Sequence, residues 1–294
     1  MEFHQLAAAV AVSDHGSFTA AATALGLSQP SVSQAVRALE RDVGVTLFER
    51  SAPGARPTVA GAALLGPARQ ALHDRDLVRA AIDDIVGLST GRVDIGCIPA
   101  VAADLVTPVV GGFRRRHPGV TVRIGEPVEG ESLGERVADG HWEVGFGVVP
   151  MEGRGLVTVT LGRQDLVAVL SRGHAAALAR DGVVSIEALG DLSLITAPAG
   201  SASFLQLEAA LGAVGRALTP AVETIHRDTI VPLVLAGAGA AVVPRRVAEA
   251  GPLDGVAVVD LDPPVTRRVG LVHRDGVLSP AAAAIVTLAR ELSG

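Results

Sequence analysis

Residues 17–50 read SFTAAATALGLSQPSVSQAVRALERDVGVTLFER, and this stretch decides the architecture of the first part of the chain. Ser17 is a good N-cap for a helix running through Ala20, Ala21, Ala22 and Leu25, and Gly26 supplies the left-handed residue that ends it. After the tight turn Gly26-Leu27-Ser28, Ser28 caps a second helix, predicted to Glu40, whose first turn tolerates Pro30 because that amide has no intrahelical partner. Val32, Ala35, Val36 and Leu39 fall on one face of it. Pro30, Ser33, Gln34, Arg37 and Arg41 fall on the opposite arc, which is polar and reachable. Upstream, Phe3 to Ser13 reads as a helix with Leu6 and Val10 among alanines, stopped at Asp14-His15-Gly16. Downstream, Gly44–Arg50 and Arg56–Val59 read as two short strands around Ser51-Ala52-Pro53-Gly54, a hairpin wing.

Two helices joined by a glycine turn, the second offering Ser, Gln and Arg from its N-terminal half, suit reading of a major groove. Bulk charge pulls the other way. The chain carries a net charge of −6, and residues 1–60 set Arg37, Arg41, Arg50 and Arg56 against Glu2, Asp14, Glu40, Asp42 and Glu49, a net of −1. Indiscriminate coating of nucleic acid is thereby excluded, since it rests on neutralising many phosphates. All four arginines nevertheless fall between 37 and 56, so a local positive stripe survives.

Length and composition set the rest of the frame. At 294 residues with 49% apolar and 19% charged residues, the chain is expected to form two globular units with a connection between them. The opening Met1-Glu2-Phe3-His4 lacks a cationic leader and no apolar run reaches spanning length, which predicts a cytoplasmic protein without membrane association. Ala60 to Leu88 supports a long helix with an apolar stripe at Leu64, Leu65, Ala68, Leu72, Val78, Ile82, Ile85 and Val86. Either Pro67 kinks it or it breaks at Gly66. Beyond Thr90-Gly91, β-branched runs alternate with helices: strands at 92–98, 120–124, 143–147, 165–170, 192–196 and 240–243, and helices at 102–116, 133–139, 204–214, 229–236 and 279–292. This is an α/β pattern with a largely parallel sheet, arranged as two similar lobes with a cleft between them.

The 17–50 stretch resembles the DNA-binding signature of the LysR-type regulators nearly throughout, and Pro57-Thr58-x-Ala-Gly61 resembles that family's exit into its linker helix. Phe113-x-x-x-His117-Pro118-x-Val120, Gly173-His174-Ala175 and Val234-x-x-Gly237-x-Gly239-x-x-x-x-Pro244 extend the likeness over most of the chain. At Trp142-Glu143-Val144-Gly145 the family more often has Leu-Asp-Leu-Ala. The resemblance implies an α/β protein with an all-α winged-helix domain: a winged helix-turn-helix at 1–60, a linker and dimerisation helix at 61–90, and a two-lobed, periplasmic-binding-protein-like (Rossmann-like) effector domain at 91–294. It implies DNA contacts from Ser17, Phe18 and Thr19, from Ser28, Gln29, Pro30 and Ser31, from Ser33, Gln34, Arg37 and Arg41, and from Arg50 and Arg56 on the wing. The implied partners are double-stranded operator DNA, a small-molecule effector, a second copy in a homodimer or dimer of dimers, and RNA polymerase.

Ligands of two-lobed α/β units settle where strand ends and helix starts converge, which here means Pro99-Ala100-Val101 and the segment Thr196 to Ser203. By resemblance the position near Ala100 often carries a hydroxyl that binds an anionic group, and none is present from Ile98 to Ala103. Backbone amides with Thr196, Ser201 and Ser203 then remain as donors for a small organic acid. Gly237-Ala238-Gly239 lacks the third glycine of a dinucleotide loop, the histidines show no metal-ligand spacing, and the lone Cys97 reads as a small buried hydrophobe, so neither cofactor nor metal is expected. Trp142 reads as ordinary packing. The competing reading is a soluble α/β small-molecule-binding protein or enzyme with a helical N-terminus of no DNA role. No nucleophile–base pair, phosphate loop or paired catalytic carboxylates supports that reading.

Overall fold

The computed structural model describes residues 1–51, 54–83, 91–128, 131–249 and 254–293. The first unit holds α1 (Phe3–His15), α2 (Phe18–Leu25), α3 (Gln29–Val43), β1 (Phe48–Ser51) and β2 (Gly54–Pro57), followed by α4 (Val59–Asp83). Its punctuation is chemical. Ser17 Oγ accepts from the Ala20 amide and Ser28 Oγ from the Ser31 amide, while Gly16, Gly26 and Gly44 close the three helices with φ of 67°, 66° and 77°. Leu6, Val12, Val32, Val36, Leu39 and Leu47 form the shared core. Each such side chain stabilises the unit by about 1.5–3 kcal/mol when fully buried.

Three expectations for this unit change. Helix α3 runs three residues further, to Val43. Gly44–Leu47 is not strand, because Glu40 Oε1 accepts from the amides of Leu47 (2.8 Å) and Phe48 (3.3 Å) and holds the connection against the helix. Thr58 and Val59 belong to the start of α4: Thr58 Oγ1 accepts from Gly61 N at 3.0 Å and donates to Thr46 O at 2.8 Å. The hairpin tip Ala52-Pro53 lies outside the described residues, as does the side chain of Arg50.

Helix α4 is unbroken through Gly66 and Pro67. Its stripe is divided. Leu65 is buried, and Ala68, Leu64 and Leu72 join the core that α1 shares, whereas Val78 stands 67% exposed, as does Val59 at the start of the helix, 91%. Ile85 and Val86 lie outside the described residues, as does the side chain of Ile82.

The second unit contains β3 (Gly91–Cys97), α5 (Pro99–Val101), a π-turn at Ala102–Val106, α6 (Thr107–Arg116), β4 (Val120–Gly125), α7 (Leu133–Ala138), β5 (Val144–Val148) and β6 (Leu156–Ser171). It continues through α8 (Arg172–Leu178), β7 (Val183–Ser185), α9 (Ile186–Leu189), β8 (Leu194–Thr196), α10 (Ala202–Ala213), β9 (Pro220–Glu223), a 3₁₀ turn at Arg227–Thr229 and α11 (Ile230–Leu235). It ends with β10 (Ala240–Pro244), α12 (Arg245–Glu249), β11 (Val256–Asp262), β12 (Thr266–Arg274) and α13 (Pro280–Glu291). Strand order is β4-β3-β5-β12-β6-β10-β8-β9, with β11 on β6 and β7 on β11.

The sheet is mixed rather than largely parallel. Strands β3, β4 and β5 are parallel, as are β8, β9 and β10, but β6 and β12 run antiparallel to their neighbours and to each other. The first lobe is built on Ile95, Phe113, Phe146, Leu271 and Ile285. In the second, the cores around Leu170 and Leu211 and around Val169 and Ile230 come from side chains on opposite faces of β6. Strand β6 passes from one lobe to the other near residue 165, and β12 returns beside it. Neither β12 nor the first half of β6 was anticipated from the sequence.

Gly61 shows how the two ends of the first unit meet. A Cβ there would stand 2.1 Å from Leu47 O, so only glycine lets α4 start against the Glu40-held loop. Gly61→Ala is expected to cost on the order of 2 kcal/mol, as overpacking against fixed backbone does. Gly212→Ala, in open space on α10, is expected to be neutral or stabilising. Urea unfolding of the two variants tests the difference.

Candidate DNA interface and inter-lobe site

The polar arc of α3 is presented as the spacing requires, with one exception, Ser33. Gln34, Arg37 and Arg41 are exposed, as are Ser28, Gln29, Pro30 and Ser31 before them. A groove of about 930 Å³ runs along Gln29, Gln34, Arg37, Glu40, Arg41 and Thr46. Ser33 lines the same groove but is only 7% exposed. Phe18 is buried, its ring edge-on to Phe48 at 6.2 Å, and so serves the core. Ser17 caps α2, Thr19 is exposed, and Ser28 and Ser31 share a hydroxyl contact of 2.7 Å.

Most acidic residues of this unit are engaged by other groups, which tempers the charge objection, although Glu40 itself lines the groove. Glu40 is spent on the Leu47 and Phe48 amides, Asp42 pairs with the N-terminal ammonium at 2.9 Å, and Asp14 pairs with Arg69 of α4. Glu49 stands opposite Arg56 in the wing ladder. Arg37, Arg41 and Arg56 make no ion pair among the described residues, so their charge remains free to meet phosphate or base edges.

The expected effector residues are distributed differently. Ala100 and Val101 are buried in the first lobe, Val101 within its core, because the chain after β3 enters a single helical turn and then the π-turn. Pro99 alone of the three is exposed. Ser201 Oγ is occupied as the cap of α10, accepting from Phe204 N at 3.3 Å. Ser203 is 8% exposed, and Thr196 Oγ1 is buried without a hydrogen-bond partner among the described residues.

What joins the lobes was not read from the sequence. Gln164 of β6 and Arg267 of β12 face each other in the ladder. Gln164 Oε1 accepts from Arg267 Nε at 2.8 Å and from Nη2 at 2.5 Å, and Gln164 Nε2 donates to Ala100 O at 2.9 Å and to Asp104. Arg267 Nη1 donates to Ser203 Oγ at 3.4 Å. The pair therefore touches both lobes. Burial pulls the Arg267 guanidinium down to about 10, repulsion from Arg227 adds to this, and Asp104 opposes it. Arg227 is lowered as well, by burial, with Glu126 opposing. A lone arginine in a strand or turn has no local signature, so only the fold could bring these two together.

Cys97 ends β3 as the small buried hydrophobe expected, its thiol pushed up to about 11 by burial and then by Glu126. Trp142 packs on Leu133, Val137 and Val272, and Gly96 makes room for it, since a Cβ there would stand 2.3 Å from the ring. Gly237 and Gly239 have φ of 81° and 150°, and a Cβ on Gly239 would meet Ser193 O at 2.2 Å, which makes this segment a turn into β10. Among the described residues no cluster of His, Cys, Asp or Glu is arranged to hold a metal, and no helix is long and apolar enough to cross a membrane.

The first lobe also touches the DNA-facing unit. Arg69 is 9% exposed against Asp14, and His141, just after α7, reaches within 3.7 Å of the same carboxylate. Arg136 Nη2 donates to His141 Nε2 at 2.8 Å, which requires a neutral imidazole with its proton on Nδ1, toward Asp14. One turn further along α4, His73 lies 3.9 Å from Glu143, whose carboxylate accepts from Ser279 at 2.5 Å.

A winged helix-turn-helix with unpaired cations on its second helix, joined by a long helix to a two-lobed α/β unit, defines a DNA-binding regulator with a ligand-sensing half. Residues 3–62 match the bacterial regulatory helix-turn-helix of the lysR family and residues 87–294 match the LysR substrate binding domain, so the chain belongs to the LysR family of transcriptional regulators. It is 28% identical over 283 residues to the uncharacterized HTH-type transcriptional regulator YbhD of Escherichia coli K12, covering 96% of this chain and 88% of that one. It is 33% identical to the HTH-type transcriptional regulator TfdS of Cupriavidus pinatubonensis, over 84% of each. In fold it is similar to a full-length OxyR variant from Pseudomonas aeruginosa (TM-score 0.79, 21% identity, 100% of this chain and 96% of that one). It is likewise similar to CbnR complexed with its target DNA (TM-score 0.68, 24% identity, 99% of each).

Burial, and after it Arg136, holds His141 down to about 4 from its usual 6.5; Asp14 opposes this, and Arg69 and Arg123 add to it. The unfolded chain then takes up the proton first as pH falls, so the native contribution is intact above about pH 6.5 and is lost progressively toward pH 4. Replacing His141 by Gln is expected to flatten that part of the stability profile. Urea midpoints of wild type and variant at pH 7 and pH 5 measure it; equal losses in both proteins would remove His141 from the account.

Proposed function

We propose that this protein binds operator DNA as a homodimer, directly or as a dimer of dimers, with α3 in the major groove and the wing along the backbone. In this reading residues 1–60 are the DNA-binding unit, 61–90 the linker and dimerisation helix, and 91–294 the effector-binding unit, working in the cytoplasm with RNA polymerase as the downstream partner. Gln29, Ser31, Gln34 and Arg37 read base edges, Ser28, Pro30 and Ser33 shape the groove that receives them, and Arg41, Arg50 and Arg56 hold phosphates. A small organic acid taken up between the lobes shifts the oligomer between arrangements of different DNA affinity.

One observation carries the reading: Arg37 and Arg41 stand exposed on α3 with no ion pair among the described residues, while Glu40, Asp42 and Asp14 are each engaged by other groups. A lone unit of such low net charge gains little from phosphates, and two tethered half-site contacts compensate through effective concentration. The apolar side chains Val59 and Val78, exposed on α4, support pairing of that helix with a second copy.

Fluorescence anisotropy on operator and scrambled duplexes tests the base-reading role. Arg37→Ala is expected to weaken operator binding by ~1–3 kcal/mol and to narrow the gap to scrambled DNA. Unchanged affinity for both duplexes would remove Arg37 from the interface. The dimer is checked by light scattering of the full-length chain at micromolar concentration, where a monomeric mass would contradict it.

A further inference from the structure

Helix α4 packs on α1 and also approaches the first lobe, and no buried apolar cluster of the described residues draws side chains from both sides of that second seam. Gly140 marks the approach. Its φ is 75°, and a Cβ there would stand 3.1 Å from Arg274 Nη1 and 3.4 Å from Arg69 Cβ. Two histidine–carboxylate pairs cross the seam in opposite directions: His141 of the first lobe lies 3.7 Å from Asp14 of α1, and His73 of α4 lies 3.9 Å from Glu143 of the first lobe. Both carboxylate oxygens are already taken. Arg69 holds Asp14 Oδ1 at 2.5 Å, and the Ser279 hydroxyl donates to Glu143 Oε2 at 2.5 Å. His141 Nε2, for its part, accepts from Arg136 Nη2 at 2.8 Å. A proton added there sets donor against donor and leaves an imidazolium among Arg136 of α7, Arg69 of α4 and Arg123 of β4, with Asp14 as the carboxylate facing it. Around His73 the charged groups are Glu143, Arg274 of β12, and Asp74 and Asp76 of its own helix, while Asp94 of β3 acts on Glu143.

We propose that this seam is a proton-sensitive clasp: His141, with His73 as a second contact, holds the first lobe on α1 and α4 while neutral, and acidification releases the lobe. Proton linkage sets the direction. Burial, and after it Arg136, holds the docked His141 at about 4, and burial, and after it Arg274, holds His73 below its usual 6.5. A released imidazole returns toward 6.5, so the open form binds protons more tightly and docking weakens as pH falls below about 6.5. Glu143 acts in the opposite sense, because burial raises its carboxyl. Its partners Ser279, Asp94 and Arg274 all belong to the first lobe and stay with it on release, so its share is small. For His141, titration at 6.5 when open against about 4 when docked raises the open-to-docked ratio by up to about tenfold between pH 7.5 and pH 5.5. Each unit keeps its own core on release. What changes is the placement of the lobe on α4, whichever molecule the α3 face binds.

The test uses the full-length chain. Small-angle X-ray scattering of wild type, His141→Gln and His141→Lys is recorded at pH 7.5, 6.5 and 5.5 at one ionic strength, with circular dichroism and light scattering on the same samples. Glutamine offers Arg136 a carbonyl acceptor and Asp14 an amide donor without taking up a proton, whereas lysine carries its charge throughout. The radius of gyration of the wild type is expected to grow from pH 7.5 to pH 5.5 and to return on neutralisation, at unchanged helix content and unchanged oligomer mass. His141→Gln is expected to keep most of its pH 7.5 dimensions, and His141→Lys to be expanded already at pH 7.5. Should His141→Lys not fold, wild type against His141→Gln decides alone. A wild type of constant dimensions, equal expansion in His141→Gln, or expansion that comes only with loss of helix or a change of oligomer mass would overturn the proposal.

Discussion

One carboxylate organises the DNA-facing unit. Glu40, near the end of α3, accepts from the amides of Leu47 and Phe48 and so fixes where the helix gives way to the wing. The same loop offers Leu47 O to Thr58 N, and Gly61 passes close enough to it that no side chain fits. Helix α3, wing and linker helix are thereby referred to a single point. The interaction also holds the Glu40 carboxylate on the Leu47 and Phe48 amides, so that it pairs with neither Arg37 nor Arg41 among the described residues. An acidic chain can present a cationic surface in this way, because the field at a binding face depends on which charges are paired rather than on the total.

The sensing half reaches this unit through polar contacts around the buried Arg69 and the half-buried His73, His141 and Glu143. Asp14 at the end of α1, Arg69 on α4 and His141 of the first lobe share one corner, and His73 and Glu143 form a second along the same helix. Groups of this kind are sensitive to small displacements, since separating a buried donor from its acceptor costs about 1–3 kcal/mol. Movement of the first lobe therefore has a route to α1 and to α4. The lobes themselves are joined by adjacent strands, β6 and β12, whose Gln164–Arg267 pair touches both.

Much of the N-terminal unit was legible because its signals are local. Ser17, Gly26, Ser28 and Pro30 act on the amides next to them, and the 3.6-residue spacing of Val32, Val36 and Leu39 names the buried face. The errors there came from a longer reach: the β-branched run at Gly44–Leu47 looks like a strand until Glu40 claims its amides. Ser33 lies on the polar arc yet sinks to the groove floor, and Phe18 follows the family signature yet serves the core. In the second unit helices α6, α7, α10, α11 and α13 and strands β3, β4, β5, β8 and β10 were found, but the short helices α8, α9 and α12, strands β7, β9, β11 and β12, and the first half of β6 were missed. Val157 pairs with His273 and Asp165 with Thr266, partners about a hundred residues apart that no window of sequence connects. The inter-lobe residues Gln164, Arg227 and Arg267 were invisible for the same reason, and the hydroxyls chosen instead proved to be a helix cap at Ser201 and an arginine partner at Ser203.

The central claim, that the chain recognises DNA through a pair of α3 helices, is tested most directly by footprinting the full-length protein on the DNA flanking its own coding region across a range of salt concentrations. The account predicts protection of two half-sites spaced by one helical turn, ~10 bp, or a multiple of it. It also predicts an affinity that falls steeply as salt rises, because counterions are released from the phosphates that Arg41, Arg50 and Arg56 hold. Protection of a single half-site, or retention that shows neither sequence preference nor salt dependence, would contradict it.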